Sequence, residues 1–104
     1  MSTLILTDRK TSGPSSGVAV AGEIAILARG EFGGATVEIE CALTDTPDHY
    51  VPCSGLSADE VGSAAFTRPG IAILKAIDGT SYVRVVVLNA GPKTNITVET
   101  NYGT

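Results

Sequence analysis

The 104-residue sequence predicts an all-β domain, an antiparallel β-sandwich or jelly roll of about eight short strands. Three observations predict it. Apolar residues alternate with polar or small ones along most of the chain, the period of a half-buried strand. Twelve glycines punctuate that alternation with tight turns. Over residues 17–29, strand spacing gathers Val18, Val20, Ile24 and Ile26 on one face, whereas helical spacing scatters them around a cylinder.

The strongest element is Ser81-Tyr-Val-Arg-Val-Val-Val-Leu-Asn89. Val83, Val85 and Val87 share one face, and β-branched residues pack well on a pleated surface. This predicts a central strand. The turn formers of Asn89–Thr94 then lead into Asn95–Thr100, where Ile96 and Val98 point inward. That adjacency predicts that these two strands pair.

In chain order, Thr3–Thr7 is a first strand and 8–17 (DRKTSGPSSG) an exposed loop. Residues 1–16 are read as an amino-terminal arm or edge strand with its loop, and residues 17–104 as one sandwich domain. An edge strand on the chain's own body is favoured over an arm that pairs with a neighbour. Gly17–Gly22 and Glu23–Arg29 follow in one phase, with Gly22 marking a bulge or corner between two strands. The second face of this stretch, with Ala19, Ala21, Glu23, Ala25 and Arg29, is thin and weakly polar. Such a face suits lying against another surface.

Gly30–Gly34 is a turn, since glycine accepts positive φ. Val37, Ile39, Cys41 and Leu43 then alternate with Thr36, Glu38, Glu40 and Ala42. A hairpin through Asp45–His49 returns along Tyr50–Cys53 and pairs Leu43 with Val51. Pro52 keeps this return short or at an edge. Residues 54–63 are polar, with one helical turn at Ser57–Val61 capped by Ser57. Ala64–Thr67 and Gly70–Ile77 flank the turn at Arg68–Gly70, and Lys75 leaves the buried side of Ile71–Ile77 undecided. Asp78-Gly79 turns the chain into the central strand.

Composition excludes several function classes. Net charge is −4, and apart from Arg9-Lys10 the basic residues stand singly. Phosphate tracking needs clustered cations, so no nucleic-acid partner is expected. No apolar run reaches the ~18 residues of a membrane span, and no basic, apolar leader opens the chain. The expected site of synthesis and residence is therefore the cytosol, or a virion released from it. With 5% aromatics and no Trp, stacking platforms for sugars or bases are scarce.

Candidate chemistry is thin. His49 is the only histidine, and no triad partner can be placed beside it. Glu38 and Glu40 alternate on one strand face, a spacing more often solubilising than catalytic. Cys41, Cys53 and His49 match no zinc spacing, and no glycine-rich phosphate loop is present. No cofactor, metal or catalytic residue is expected. The Leu43–Val51 register places Cys41 across from Cys53, within disulfide reach. In a reducing cytosol two buried thiols are the favoured reading.

The runs Gly33-Gly-Ala-Thr-Val-Glu-Ile-Glu, Tyr50-Val-Pro, Tyr82-Val-Arg-Val-Val-Val and Thr94-Asn-Ile-Thr-Val-Glu resemble a group of small tailed-phage structural proteins that includes capsid decoration (cement) proteins. The resemblance spans Gly30 to Glu99. Tyr50 stands near the place where that group often carries Trp. It implies a non-enzymatic virion protein on the capsid surface, assembled in the host cytoplasm. The implied partner is the major capsid protein, bound across neighbouring subunits, and a homotrimer suits the threefold sites of a shell. The contact residues expected are Leu4, Ile5, Leu6, Arg9 and Lys10, through strand addition or apolar contact. The alternative is a carbohydrate-binding or adhesion β-sandwich offering Asp45–His49, Tyr50 and the 54–63 loop to sugar hydroxyls. A small hydrolase would depend on His49.

Overall fold

Val83, Val85 and Val87 are buried along one side of the strand Ser81–Leu88, and the rest of the fold is layered on them. The computed structural model describes residues 3–21, 24–52, 65–74 and 81–101. The described residues contain ten strand segments: β1 (Thr3–Arg9), β2 (Gly13–Pro14), β3 (Val18–Val20), β4 (Ile24–Glu31), β5 (Thr36–Ala42), β6 (Val51–Pro52), β7 (Ala65–Phe66), β8 (Gly70–Leu74), β9 (Ser81–Leu88) and β10 (Asn95–Thr100). Sheet A has the order β1-β10-β4-β8, and sheet B the order β2-β9-β5-β6, with β3 also on β9 and β7 also on β5.

All pairings are antiparallel. Segments β2 and β3 run in turn along one side of β9, and β6 and β7 along the far side of β5. Counting each as one interrupted strand gives two four-stranded sheets. Successive strands then cross between the sheets everywhere except from β5 to β6. That order is the jelly roll's, one of the two architectures the alternation pattern predicts. The core between the sheets holds Ile26, Ala28, Ile96 and Val98 from sheet A against Val37, Ile39, Val85 and Val87 from sheet B. Each Ile or Val of this set stabilises by about 1.5–3 kcal/mol through burial.

Three expectations are corrected. Strands β9 and β10 do not pair: β9 lies between β5 and β2–β3, while β10 lies between β1 and β4. Asn89, at φ 58, and the Gly91–Thr94 turn carry the chain over the core instead of back along itself. Thr94 is 3% exposed and fixes this crossing. Its hydroxyl donates to the Phe32 carbonyl (2.8 Å) and accepts from the Gly91 amide (2.8 Å).

In the second correction, Val51 pairs with Cys41 and Pro52 with Glu40, not Leu43 with Val51. A slip of two residues leaves every side chain on its own face, so alternation alone does not detect it. The longer connection holds a short 3-10 turn, Pro47–His49.

Third, Cys41 is disulfide-bonded, where two buried thiols were favoured. That expectation rested on compartment, not geometry. The chain's other cysteine is Cys53, which lies outside the described residues. So do Gly22, the Ser57–Val61 turn and Asp78-Gly79.

Strand β1 pairs with β10 of the same chain and is bulged between Leu4 and Leu6 and again between Leu6 and Arg9. The first bulge lets consecutive residues Ile5 and Leu6 both face the core. Gly30, at φ 110, passes so close to the Asn95 carbonyl that any Cβ would collide with it.

Candidate interaction face

The outer faces of the two sheets differ, and the difference decides which is open to a partner. On sheet B, β5 and β9 turn Glu38, Glu40 and Ala42 outward beside Val86, Arg84 and Tyr82. The 43–50 loop folds back over this surface. Tyr50 is buried there, with Arg84 over its ring at 4.4 Å from the centroid. The Tyr50 hydroxyl donates to Asp45 Oδ1 (2.8 Å), and Arg84 Nε donates to Glu40 Oε1 (2.8 Å). Burial first, and then the hydrogen bond to Asp45, pushes the Tyr50 phenol up to about 12. The result is a closed polar network that ties the loop to its own sheet.

Sheet A carries no such cover among the described residues. Its register aligns Leu4 with Glu99, Glu99 with Leu27, and Leu27 with Ile71. Residues directly opposite one another share a face, so these four form one row across all four strands. Leu4 is 52% exposed and Ile71 61%, and Leu27 is half-buried between them. Ala25 lies two residues along β4, half-buried, and its amide donates to Asn101 Oδ1. Arg29 Nε lies 3.4 Å from Glu99 Oε1 and is largely solvated, so this pair contributes little stability. The face thus carries Leu4, Leu27, Ile71 and Ala25 at one end, with Glu99 and Arg29 paired among them, and turns polar toward Thr97, Asn95 and Glu31 at the other.

Of the five contact residues expected from sequence, Leu4 stands in this row and Lys10 is exposed. Ile5 and Leu6 are in the chain's own core. Arg9 reaches the carbonyls of Gly13 (3.3 Å) and Pro14 (3.1 Å), fastening β1 to β2. Sequence reasoning missed Leu27, which falls in phase with Ala25 and Arg29, and left Ile71 unassigned.

The residues weighed for chemistry are dispersed. His49 is exposed, its Nδ1 2.8 Å from the Thr44 hydroxyl. Glu40 belongs to the Arg84 pair, and Glu38 is half-buried opposite Val86. Among the described residues no three of His, Cys, Asp and Glu gather as metal ligands, and no helix is long and apolar enough to cross a membrane. The 54–63 loop, with Cys53 and Ala64 on either side of it, lies outside the described residues. Comparison with protein-family models, with curated proteins and with solved structures finds no match.

Proposed function

We propose that this protein is a non-enzymatic structural component of a phage virion, a capsid decoration protein that lies with sheet A against neighbouring subunits of the shell. The observation that carries this reading is the row Leu4–Glu99–Leu27–Ile71 across the width of sheet A, in which Leu4 and Ile71 are exposed and Leu27 is half-buried. Burying such a row supplies the aliphatic contacts of an interface, with Asn101 and Arg29 beside it and Glu99, paired with Arg29, within it. The resemblance of residues 30–99 to small tailed-phage proteins supplies the kind of partner, the major capsid protein. Virion placement follows from that partner. The fold itself hosts unrelated functions, so the surface and not the topology supports the assignment.

The alternative, a carbohydrate-binding or adhesion module, draws no support from Tyr50. Its ring is committed to Arg84 and its hydroxyl to Asp45. The test of the proposed function is quantitative mass spectrometry of phage particles purified from the source culture. The chain is expected at a copy number in fixed ratio to the major capsid protein. Its absence from intact particles would remove the virion role.

A further inference from the structure

Among the described residues the sandwich has four sheet edges, and three carry features that oppose pairing. Strand β1 is bulged twice, and Asp8 within it takes a positive φ of 47. On sheet B, the β2–β3 edge is broken after Pro14, and the β6–β7 edge carries Pro52. Proline, bulges and very short strands are the devices by which proteins stop an edge from accepting another strand.

The fourth edge, β8, has none of them. Its five residues, Gly70-Ile-Ala-Ile-Leu74, keep an unbroken register with β4 from Ile24↔Leu74 to Ala28↔Gly70. The segment has no charge and no proline. Among the described residues it pairs on one side only.

We infer that β8 is a self-association edge: two copies of this chain pair β8 antiparallel to β8 about a two-fold axis. An antiparallel edge is its own complement under such an axis, because each strand offers its partner the same alternation of donors and acceptors. With the axis at Ala72, Gly70 stands opposite Leu74 of the second copy, and Ile71 opposite Ile73. Every opposed pair is uncharged, so a chain of net charge −4 meets no like-charge contact at this seam.

The merged sheet has eight strands, four from each copy. Its new outer edges are both β1, the bulged strand, so pairing closes at two copies and does not propagate into a filament. The two exposed aliphatic rows become one continuous surface. This gives a dimer, where the family resemblance implies a trimer. It does not depend on the shell contact proposed above.

The experiment is sedimentation velocity on the isolated full chain over a concentration series, for wild type, Ile71→Lys and Leu4→Lys. Ile71 and Leu4 are both exposed, so neither substitution disturbs the core. The wild type is expected to show a two-chain species. Ile71→Lys, which puts a charge beside the seam in both copies, should weaken it about tenfold or more. Leu4→Lys, at the opposite edge, should leave it intact. Hydrogen exchange should show the amides of 70–74 protected in wild type and less so in Ile71→Lys. A single-chain or three-chain mass for the wild type would overturn the inference. So would a dimer that survives Ile71→Lys or is lost equally in Leu4→Lys. None of these outcomes touches the presence of the chain in virions.

Discussion

Arg84 lies over the ring of Tyr50, 4.4 Å from its centroid, and this contact closes the outer face of sheet B. Its Nε is held by Glu40, with side chains only 16% and 13% exposed. A cation over an aromatic face is worth about 0.5–2 kcal/mol, more as water is excluded. Replacing Glu40 by Ala leaves Arg84 half-buried and short of its carboxylate. Glu40→Ala is expected to cost about 1–3 kcal/mol in urea denaturation. In a double-mutant cycle with Arg84→Ala the two losses should be clearly less than additive. Simple additivity would mean that the pair is solvated.

The Tyr50 phenol gives the fold a dependence on alkaline pH. Its value in the folded chain, about 12, stands above the ordinary 10.0. Between those values the unfolded chain has lost the proton while the folded chain keeps it. Stability is therefore fully present below about pH 10 and falls as the pH rises toward about 12. Tyr50→Phe should flatten this decline and cost about 0.5–1.5 kcal/mol at neutral pH. Denaturation midpoints from pH 8 to 11.5 measure both effects. An identical alkaline decline in Tyr50→Phe would contradict the assignment.

Ser15 repairs a gap in sheet B. Between β2 and β3 its amide donates to the Val85 carbonyl (2.8 Å) and its hydroxyl accepts from the Val85 amide (3.0 Å). The side chain stands where the edge strand's own carbonyl is displaced. Ser15→Ala leaves a buried amide on the central strand without its acceptor, a loss of about 1–3 kcal/mol. Thermal melting and exchange at the Val85 amide should both report it. An unchanged melt would mean that the amide has another acceptor.

Cys41 is disulfide-bonded, so the oxidised chain should resist alkylation at this residue until it is reduced. Reduction is expected to lower stability by about 2–4 kcal/mol. Mass shifts after iodoacetamide, with and without dithiothreitol, check the first point, and paired melts check the second. Full alkylation of Cys41 without reductant would contradict the bridge.

The sequence exposes the inward sets of this fold directly. Val37 and Ile39, Val83 to Val87, and Ile96 with Val98 all follow from two-residue alternation, which burial of one face imposes. Sheet membership is less visible. The turn formers between Leu88 and Asn95 fit a hairpin as well as a crossing, and only the competition of both sheets for the core decides between them. The Val51 register escaped because a two-residue slip keeps every face. Ser15 sits within a run of polar loop residues, and nothing local marks it as a ladder substitute.

The candidate face was half visible. Ala25 and Arg29 show a thin outer side, and Leu4 an exposed aliphatic. Leu27 and Ile71 join them only through the register of strands distant in sequence. Tyr50 and Arg84 likewise meet through a loop that folds back over its own sheet.

The proposed function sets the Leu4–Leu27–Ile71 face against the shell. The most direct measurement is rebinding of purified chain to phage shells stripped of it, comparing wild type with Leu27→Glu. The wild type should bind saturably, and Leu27→Glu, folded by circular dichroism, should bind at least about tenfold more weakly, since a carboxylate is then desolvated at the centre of the contact. Equal binding by the two proteins would contradict the account.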